Sequence, residues 1–183
     1  LPAGTSDAVR RDSLARWITS PDNPWFAKAV TNGYQPLGGV MVSDRLADVL
    51  KHDGGEFAHG YTYSGNPVAC AVGIATLDIY EEEGLLTRGA ELNDFWADCL
   101  HELKNQPHVI DVRNLGMIGG IELASRPDAP GARAYELFVD CFEKGLLIRV
   151  TGDIVALSPP LIAEKSHIES MVSILADGLK RVA

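Results

Sequence analysis

The chain has 183 residues, of which 46% are hydrophobic and 22% are charged, and its formal net charge at pH 7 is −9. This composition is typical of a soluble globular protein with a sizeable core. The negative charge disfavours a nucleic-acid partner, because binding phosphate groups needs a basic face. No apolar run reaches membrane-spanning length and the first residues show no secretory signal, so we expect no membrane partner and a cytoplasmic location.

The first expected element is a helix from about Asp7 to Thr19, although its apolar stripe is only partial. Lys28 then stands among small apolar residues, before a turn rich in Thr, Asn, Gly and Pro and the apolar run at 40–42. This pattern predicts a strand end, a tight loop and a returning strand. At the edge of a buried sheet, partial desolvation would favour a neutral amine able to form a Schiff base with a carbonyl compound. The alternative is a solvated surface lysine beside a glycine turn.

Two helices are expected after this loop. Residues 43–50 predict a short capped helix, followed by a polar loop at 51–57. Asn66 followed by Pro67 predicts a helix start, because Asn caps free backbone donors and Pro at the first position loses no hydrogen bond. The following residues are apolar almost all round, which predicts a buried helix that stops at Gly84.

Beyond this helix the pattern predicts a separate group of elements. They are a helix over about 87–104, strands over 109–113 and 117–123, a helix over 132–144, strands over 146–150 and 154–157, and a helix over 165–181. This order of strands and helices predicts a small α+β domain from about residue 106.

The cysteines and histidines do not indicate a further catalytic or metal site. The three cysteines lie among apolar helical residues, and we expect buried, reduced thiols at Cys70, Cys99 and Cys141. The five histidines show no spacing with other ligand residues that would indicate a metal site. We therefore expect no metal.

Three motifs, in the right order, resemble those of the class III aminotransferases, which are pyridoxal phosphate (PLP) enzymes. The first is Lys28 followed by Thr-Asn-Gly-Tyr-Gln-Pro-Leu-Gly-Gly at 31–39. The second is His-Gly-Tyr-Thr-Tyr-Ser-Gly-Asn-Pro at 59–67. The third is Ile-Arg-Val-Thr-Gly-Asp at 148–153, followed by Leu-Ser-Pro-Pro-Leu at 157–161.

The resemblance implies an α/β fold, the C-terminal half of a type I PLP-dependent transferase. Residues 21–105 would be part of the large PLP-binding domain with its connecting helices, and residues 106–183 the small α+β domain. Residues 1–20 show no resemblance, and the family's N-terminal cofactor contacts are not found in the chain.

The same resemblance assigns roles to individual residues. Lys28 would be the catalytic lysine that binds PLP and moves a proton between the substrate and the cofactor. Thr62, with the backbone of Tyr61, would bind the PLP phosphate of a neighbouring subunit, which implies a homodimer or higher homo-oligomer. Arg149 would bind a substrate carboxylate, and Tyr34 could line the substrate entrance. An ordinary turn threonine and a packing tyrosine are the alternatives for Thr62 and Tyr34.

Arg149 also stands out in its own surroundings. It lies in an apolar strand, where an unpaired guanidinium is costly unless it faces an open site. Its planar guanidinium can form two parallel hydrogen bonds to a carboxylate. A flexible turn at 151–153 could let the side chain change position. The alternative is an outward-facing strand arginine.

The function implied is PLP-dependent transamination from an ω-amino acid or amine to pyruvate, so the small-molecule partners would be an amine or amino acid and a 2-oxo acid. The Ser-Pro-Pro-Leu sequence at 158–161 favours this branch over the ornithine type, which tends to show Arg-Phe-Ala-Pro-Pro-Leu. The alternatives are a PLP mutase or decarboxylase of the same fold, and a truncated, non-catalytic chain that only packs with a partner subunit.

Overall fold

The computed structural model describes residues 19–20, 23–52 and 59–182. The chain forms two compact units, Leu1–Glu83 and Gly84–Ala183. Apart from Thr19, the helix expected from about Asp7 lies outside the described residues. Within the described part, no helix is both long and apolar enough to cross a membrane. The domain boundaries expected at residues 20 and 105 stay predictions.

The first unit contains a small antiparallel sheet in the order β1-β2-β3. The strands are β1 (Thr19–Ser20), β2 (Asn23–Ala27) and β3 (Gly38–Val40). Ala27 pairs with Gly38 and Trp25 with Val40, so the expected strand, loop and returning strand around Lys28 are confirmed. The returning strand ends at Val40, before the end of the apolar run.

The described residues of the first unit also form two helices, α1 (Asp44–His52) and α2 (Pro67–Glu82). The expected start of α2 is confirmed, because Asn66 Oδ1 accepts the backbone N–H groups of Val68 (3.0 Å) and Ala69 (3.1 Å). The helix ends just before Gly84, whose φ of 59° is the left-handed conformation expected at a helix stop.

The expectation that α2 is buried is wrong for this chain. Its buried positions are Ala69, Gly73 and Thr76, whereas Ile74 is 62% and Leu77 56% exposed. Within its unit the helix packs along one narrow stripe, so its remaining apolar surface faces outward. An all-round apolar sequence signals that a helix can be covered on every side, and the packing inside this unit covers one side only.

The second unit is a four-stranded antiparallel sheet in the order β4-β5-β7-β6, packed against helices. The elements expected in this region are all present, with ends shifted by a few residues. The strands are β4 (Val109–Leu115), β5 (Ile118–Leu123), β6 (Arg149–Thr151) and β7 (Ile154–Leu157). The helices are α3 (Leu85–His101), continued by a 3-10 turn (Glu102–Asn105), α4 (Ala132–Glu143) and α5 (Lys165–Arg181).

The core of the second unit lies between one face of this sheet and the helices. Along β5 the side chains alternate, so that Ile121 and Leu123 are fully buried while Ile118 is exposed. Trp96 and Leu100 of α3 approach Gly119 so closely that a Cβ there would lie 2.8 and 2.7 Å from them. Glycine is therefore required at this point of the sheet. On the opposite face of the sheet, Ile118 is exposed.

The cysteines are less buried than expected. Cys141 is buried, and this burial raises the pKa of its thiol to about 11. Cys70 and Cys99 are only half-buried, because each lies at the border of its helix's packed stripe.

Candidate functional site

Lys28 is the first residue after β2, and its backbone is left-handed, with a φ of 62°. This conformation is unfavourable for a residue with a Cβ, so the loop must hold it in place. The N–H of Thr31 donates to Lys28 O at 3.1 Å, and the fully buried Thr31 hydroxyl donates to Gln35 O at 2.6 Å. The loop is therefore organised from within.

Helix α2 braces the same loop from outside. The Tyr80 hydroxyl lies 3.2 Å from Ala29 O and 3.0 Å from Asn32 Oδ1. Gly73 lets the helix approach the loop, since a Cβ there would lie 2.9 Å from Leu37 Cδ2. Neither Thr31 nor Tyr80 was predicted from the sequence. Their signals are weak: a Thr directly before Asn-Gly, and a tyrosine in the last turns of an apolar helix.

The side chain of Lys28 is exposed, which corrects the expected desolvation. The small sheet whose strands flank the lysine loop is not buried at β3, where Val40 is 63% exposed. No other described element of the first unit covers the lysine. Among the residues that the structure describes, nothing therefore blocks a small molecule from reaching its amine.

Tyr61 and Thr62 lie in the turn that leads into α2. The turn is closed by a hydrogen bond from Ser64 N to Tyr61 O (2.9 Å) and by one from Tyr61 N to Ser64 Oγ (3.1 Å). Thr62 is exposed, and Asn66 occupies the first donors of the helix. An anion bound at this turn would therefore meet the Thr62 hydroxyl rather than the helix end.

Tyr34 is exposed and lies on the same loop as Lys28. The structure thus places Lys28, Tyr34, Tyr61 and Thr62 in one unit, on two segments that both adjoin α2. Among the described residues, no hydrogen bond joins Lys28 or Tyr34 to Tyr61 or Thr62. Arg149 belongs to the second unit.

Arg149 lies on β6, the edge strand of its sheet, opposite Ala156 of β7. Its side chain is exposed and has no hydrogen-bond or ion-pair partner among the described residues. Other arginines of the unit are engaged: Arg113, Arg126 and Arg181 bind carboxylates, and Arg88 and Arg133 bind backbone carbonyl oxygens.

An open concavity of about 700 Å³ surrounds Arg149. Its wall is otherwise uncharged, and includes Ile118, Tyr135, Phe138, Leu147 and Ala156. An unpaired guanidinium in an apolar wall is a strong receptor for a carboxylate, since it can form two parallel, charge-assisted hydrogen bonds.

The turn after Arg149 differs from expectation. Gly152 and Asp153 form it, but the Asp153 carboxylate accepts the N–H of Gly131 from another part of the unit, at 3.0 Å from each oxygen. The turn is therefore held by a hydrogen bond from the start of α4, and this contact opposes the flexibility expected for it.

The donors present suit the cofactor that the sequence motifs imply. Pyridoxal phosphate carries an aldehyde and a phosphate group. An accessible primary amine, Lys28, suits the aldehyde, and a hydroxyl in an exposed turn, Thr62, suits the phosphate. No group of three or more His, Cys, Asp or Glu in the described ranges could hold a metal ion.

Comparison with known proteins agrees with this chemistry. The aminotransferase class III family matches residues 13–179. The chain is 51% identical over 171 residues to the omega-aminotransferase of Caulobacter vibrioides, a match that covers 91% of this chain and 39% of that protein. It is 36% identical over 169 residues to the beta-alanine–pyruvate aminotransferase of Pseudomonas aeruginosa, covering 90% of this chain and 38% of that protein.

The fold agrees as well. The PMP-bound aminotransferase from Vibrio fluvialis superposes with a TM-score of 0.80 at 26% identity, over 91% of this chain and 39% of that one. The chain spans about two fifths of the length of the curated relatives it matches. Its fold is part of the type I fold of PLP-dependent transferases, in line with the C-terminal half expected from the motifs. Because the family match extends over most of its length, the chain belongs to the class III aminotransferases, whose cofactor is pyridoxal 5′-phosphate.

Proposed function

We propose that this chain is the lysine-bearing part of an enzyme that transfers an amino group from an ω-amino acid or amine to pyruvate. The observation that carries the proposal is Arg149, whose guanidinium has no partner among the described residues and lies in an otherwise uncharged concavity. Its chemistry selects a carboxylate. The relatives support the substrate pair, since one is named an omega-aminotransferase and another a beta-alanine–pyruvate aminotransferase.

Lys28 is the catalytic residue in this proposal. Bound pyridoxal phosphate supplies an electron sink that stabilises negative charge at the substrate carbon. With the cofactor bound, Lys28 would hold its aldehyde, and the Lys28 amine would be the group that moves the proton of the substrate carbon. The fixed left-handed backbone at Lys28 supports this role, since strained backbone is often kept where a side chain must be aimed.

The remaining candidate residues bind the cofactor or the substrate. Thr62, with the backbone of Tyr61, binds the phosphate of the cofactor in a neighbouring subunit, so that the active assembly is a homodimer or higher homo-oligomer. Tyr34, on the lysine loop, lines the substrate entrance. Arg149 holds the carboxylate of pyruvate and has no partner to hold when the substrate is an amine without a carboxylate.

Substitution of Arg149 tests this proposal, with each half-reaction measured in single-turnover experiments followed by cofactor absorbance. Arg149→Ala should cost the pyruvate half-reaction on the order of 2 to 5 kcal/mol in kcat/KM, the range for losing one partner of a charge pair that substrate binding buries in the whole enzyme. The half-reaction with a carboxylate-free amine should change little. Arg149→Lys should recover only part of the loss, because a point charge cannot reproduce the planar guanidinium.

Arg126 supplies the matched control, because its guanidinium in the same unit is already paired with Glu136. Arg126→Ala should leave both half-reactions nearly unchanged. Equal losses on both substrates in Arg149→Ala would mean that Arg149 is structural. An unchanged pyruvate half-reaction would mean that another residue holds the carboxylate.

A further inference from the structure

The position of Arg149 depends on the register of a very short hairpin. Strand β6 is an edge strand of three residues, and among the described strands it pairs with β7 alone. Arg149 pairs with Ala156 and Thr151 with Ile154, so the turn consists of Gly152 and Asp153. A slip of one residue would turn Arg149 to the opposite face of the sheet. So short a strand has few backbone pairs with which to fix its register, so the turn contributes much of it.

Asp153 provides a fixed point for this hairpin. Its half-buried carboxylate accepts the N–H of Gly131, 3.0 Å from each oxygen, and its backbone carbonyl accepts the N–H of Leu123 at 2.9 Å. The first bond is charge-assisted, and it also places a negative charge at the N-terminus of α4, where the helix dipole favours it.

Gly131 is suited to this contact by its lack of a side chain. It caps α4 with a φ of 81°, which a residue with a Cβ adopts only under strain. A Cβ at Gly131 would lie 3.6 Å from Gly152 Cα, so the hairpin turn and the start of the helix are directly in contact.

The contact joins two walls of one concavity. The hairpin carries Arg149, while α4 carries Tyr135 and Phe138, which line the concavity beside it. We propose that Asp153 is a positioning residue for Arg149: it sets the hairpin register and holds the hairpin against α4, so that the guanidinium faces the substrate carboxylate. This inference rests on the proposed role of Arg149.

The test compares the two half-reactions of the holoenzyme in single-turnover experiments, because a merely structural role would lower both alike. Asp153→Ala should lower kcat/KM for pyruvate about tenfold, in the range of losing a charge-assisted hydrogen bond. Most of this change should be a higher KM, and less of it a lower kcat. The half-reaction with a carboxylate-free amine should change by less than about twofold. Asp153→Asn should recover part of the loss, because its amide oxygen can still accept the Gly131 N–H.

Asp177 offers a matched control, since it forms an exposed pair with Lys180 on α5. Asp177→Ala should leave both half-reactions unchanged. If Asp153→Ala does not fold, Asp153→Asn decides the question, and a selective loss of about threefold on pyruvate is then expected for a neutral acceptor.

Each other outcome overturns the inference. Equal losses on both half-reactions, or an unchanged pyruvate half-reaction, would show that Asp153 does not position Arg149. If Arg149→Ala is selective for pyruvate but the Asp153 variants are not, the proposed function stands and the positioning role fails. If Arg149→Ala leaves pyruvate unaffected, the proposed function fails and the role of Asp153 fails with it.

Discussion

At Lys28, the proposed catalytic residue, the backbone is held by neighbours that the proposal gives no chemical role. Its left-handed backbone is held by Thr31 within the loop and by Tyr80 from α2. Such a conformation persists only where the surrounding contacts over-determine it. Lys28 lies just past a strand end with its side chain exposed, and these two neighbours support its backbone conformation.

Thr62 allows a prediction about the cofactor. Thr62→Ala should weaken the binding of pyridoxal phosphate by roughly 1.5 to 3 kcal/mol, because it removes one hydrogen bond to a charged group. Titration of the apoenzyme with the cofactor measures this. Thr62→Ser keeps the hydroxyl and should bind nearly as well as the unmodified protein.

The subunit assignment of Thr62 can be tested in the same experiment. If the phosphate is bound across a subunit boundary, cofactor retention should fall when the protein is diluted to its monomeric form. A monomer that holds the cofactor as tightly as the oligomer would show that Thr62 does not act across subunits.

At the scale of elements, an ion-pair cluster ties α4 to α5. The Asp140 carboxylate accepts from Arg181 at 2.7 and 3.0 Å and also pairs with Lys144. The hydrogen bonds from Arg181 and Lys144 lower the pKa of Asp140 to about 2. The cluster therefore stabilises the folded state as long as the carboxylate is ionised.

The lowered pKa sets the pH range of this effect. A carboxyl group in the unfolded chain has a pKa of about 3.9. The contribution of Asp140 is thus fully present above about pH 5, and it is lost as the pH falls through about 2. Asp140→Asn should lower the free energy of unfolding by about 1 kcal/mol at pH 7 and by much less at pH 2.

Urea denaturation at pH 7, 5, 3 and 2 measures this difference. Asp177→Asn is the control, because its pair with Lys180 is more exposed and should contribute less. A difference between Asp140→Asn and the unmodified protein that stays constant from pH 7 to pH 2 would contradict the account.

Sequence patterns predicted the elements because their signals are local. Asn66-Pro67 determines where α2 begins through hydrogen bonds within four residues, and Gly84 marks its end in the same way. The burial of α2 could not be predicted, because burial depends on what packs against the helix. The fastening of the Gly152-Asp153 turn escaped prediction for a related reason, since its partner Gly131 lies about twenty residues away.

For the candidate site, the sequence predicted the residues but not their packing. The motifs named Lys28, Thr62 and Arg149, but their exposure in this chain follows from packing, which periodicity does not report. Thr31 and Tyr80 were missed because a buried hydroxyl and a tyrosine on an apolar helix are common in proteins without any role near a site.

At the scale of the whole molecule, the chain has two compact units and spans about two fifths of the length of its curated relatives. The candidates for cofactor binding lie in the first unit and Arg149 in the second. The account therefore separates into two claims that can fail independently: carboxylate binding by Arg149, and cofactor binding by Lys28.

The claim about Lys28 is the central one, and borohydride reduction of the holoenzyme followed by peptide mapping tests it most directly. Reduction makes the bond between a lysine and the cofactor irreversible, so the labelled peptide identifies the lysine. The account predicts that the label lies on Lys28 and that Lys28→Ala abolishes it, while Lys51→Ala leaves it unchanged. Label on Lys51 or Lys104, or holoenzyme that takes up no label, would contradict the account.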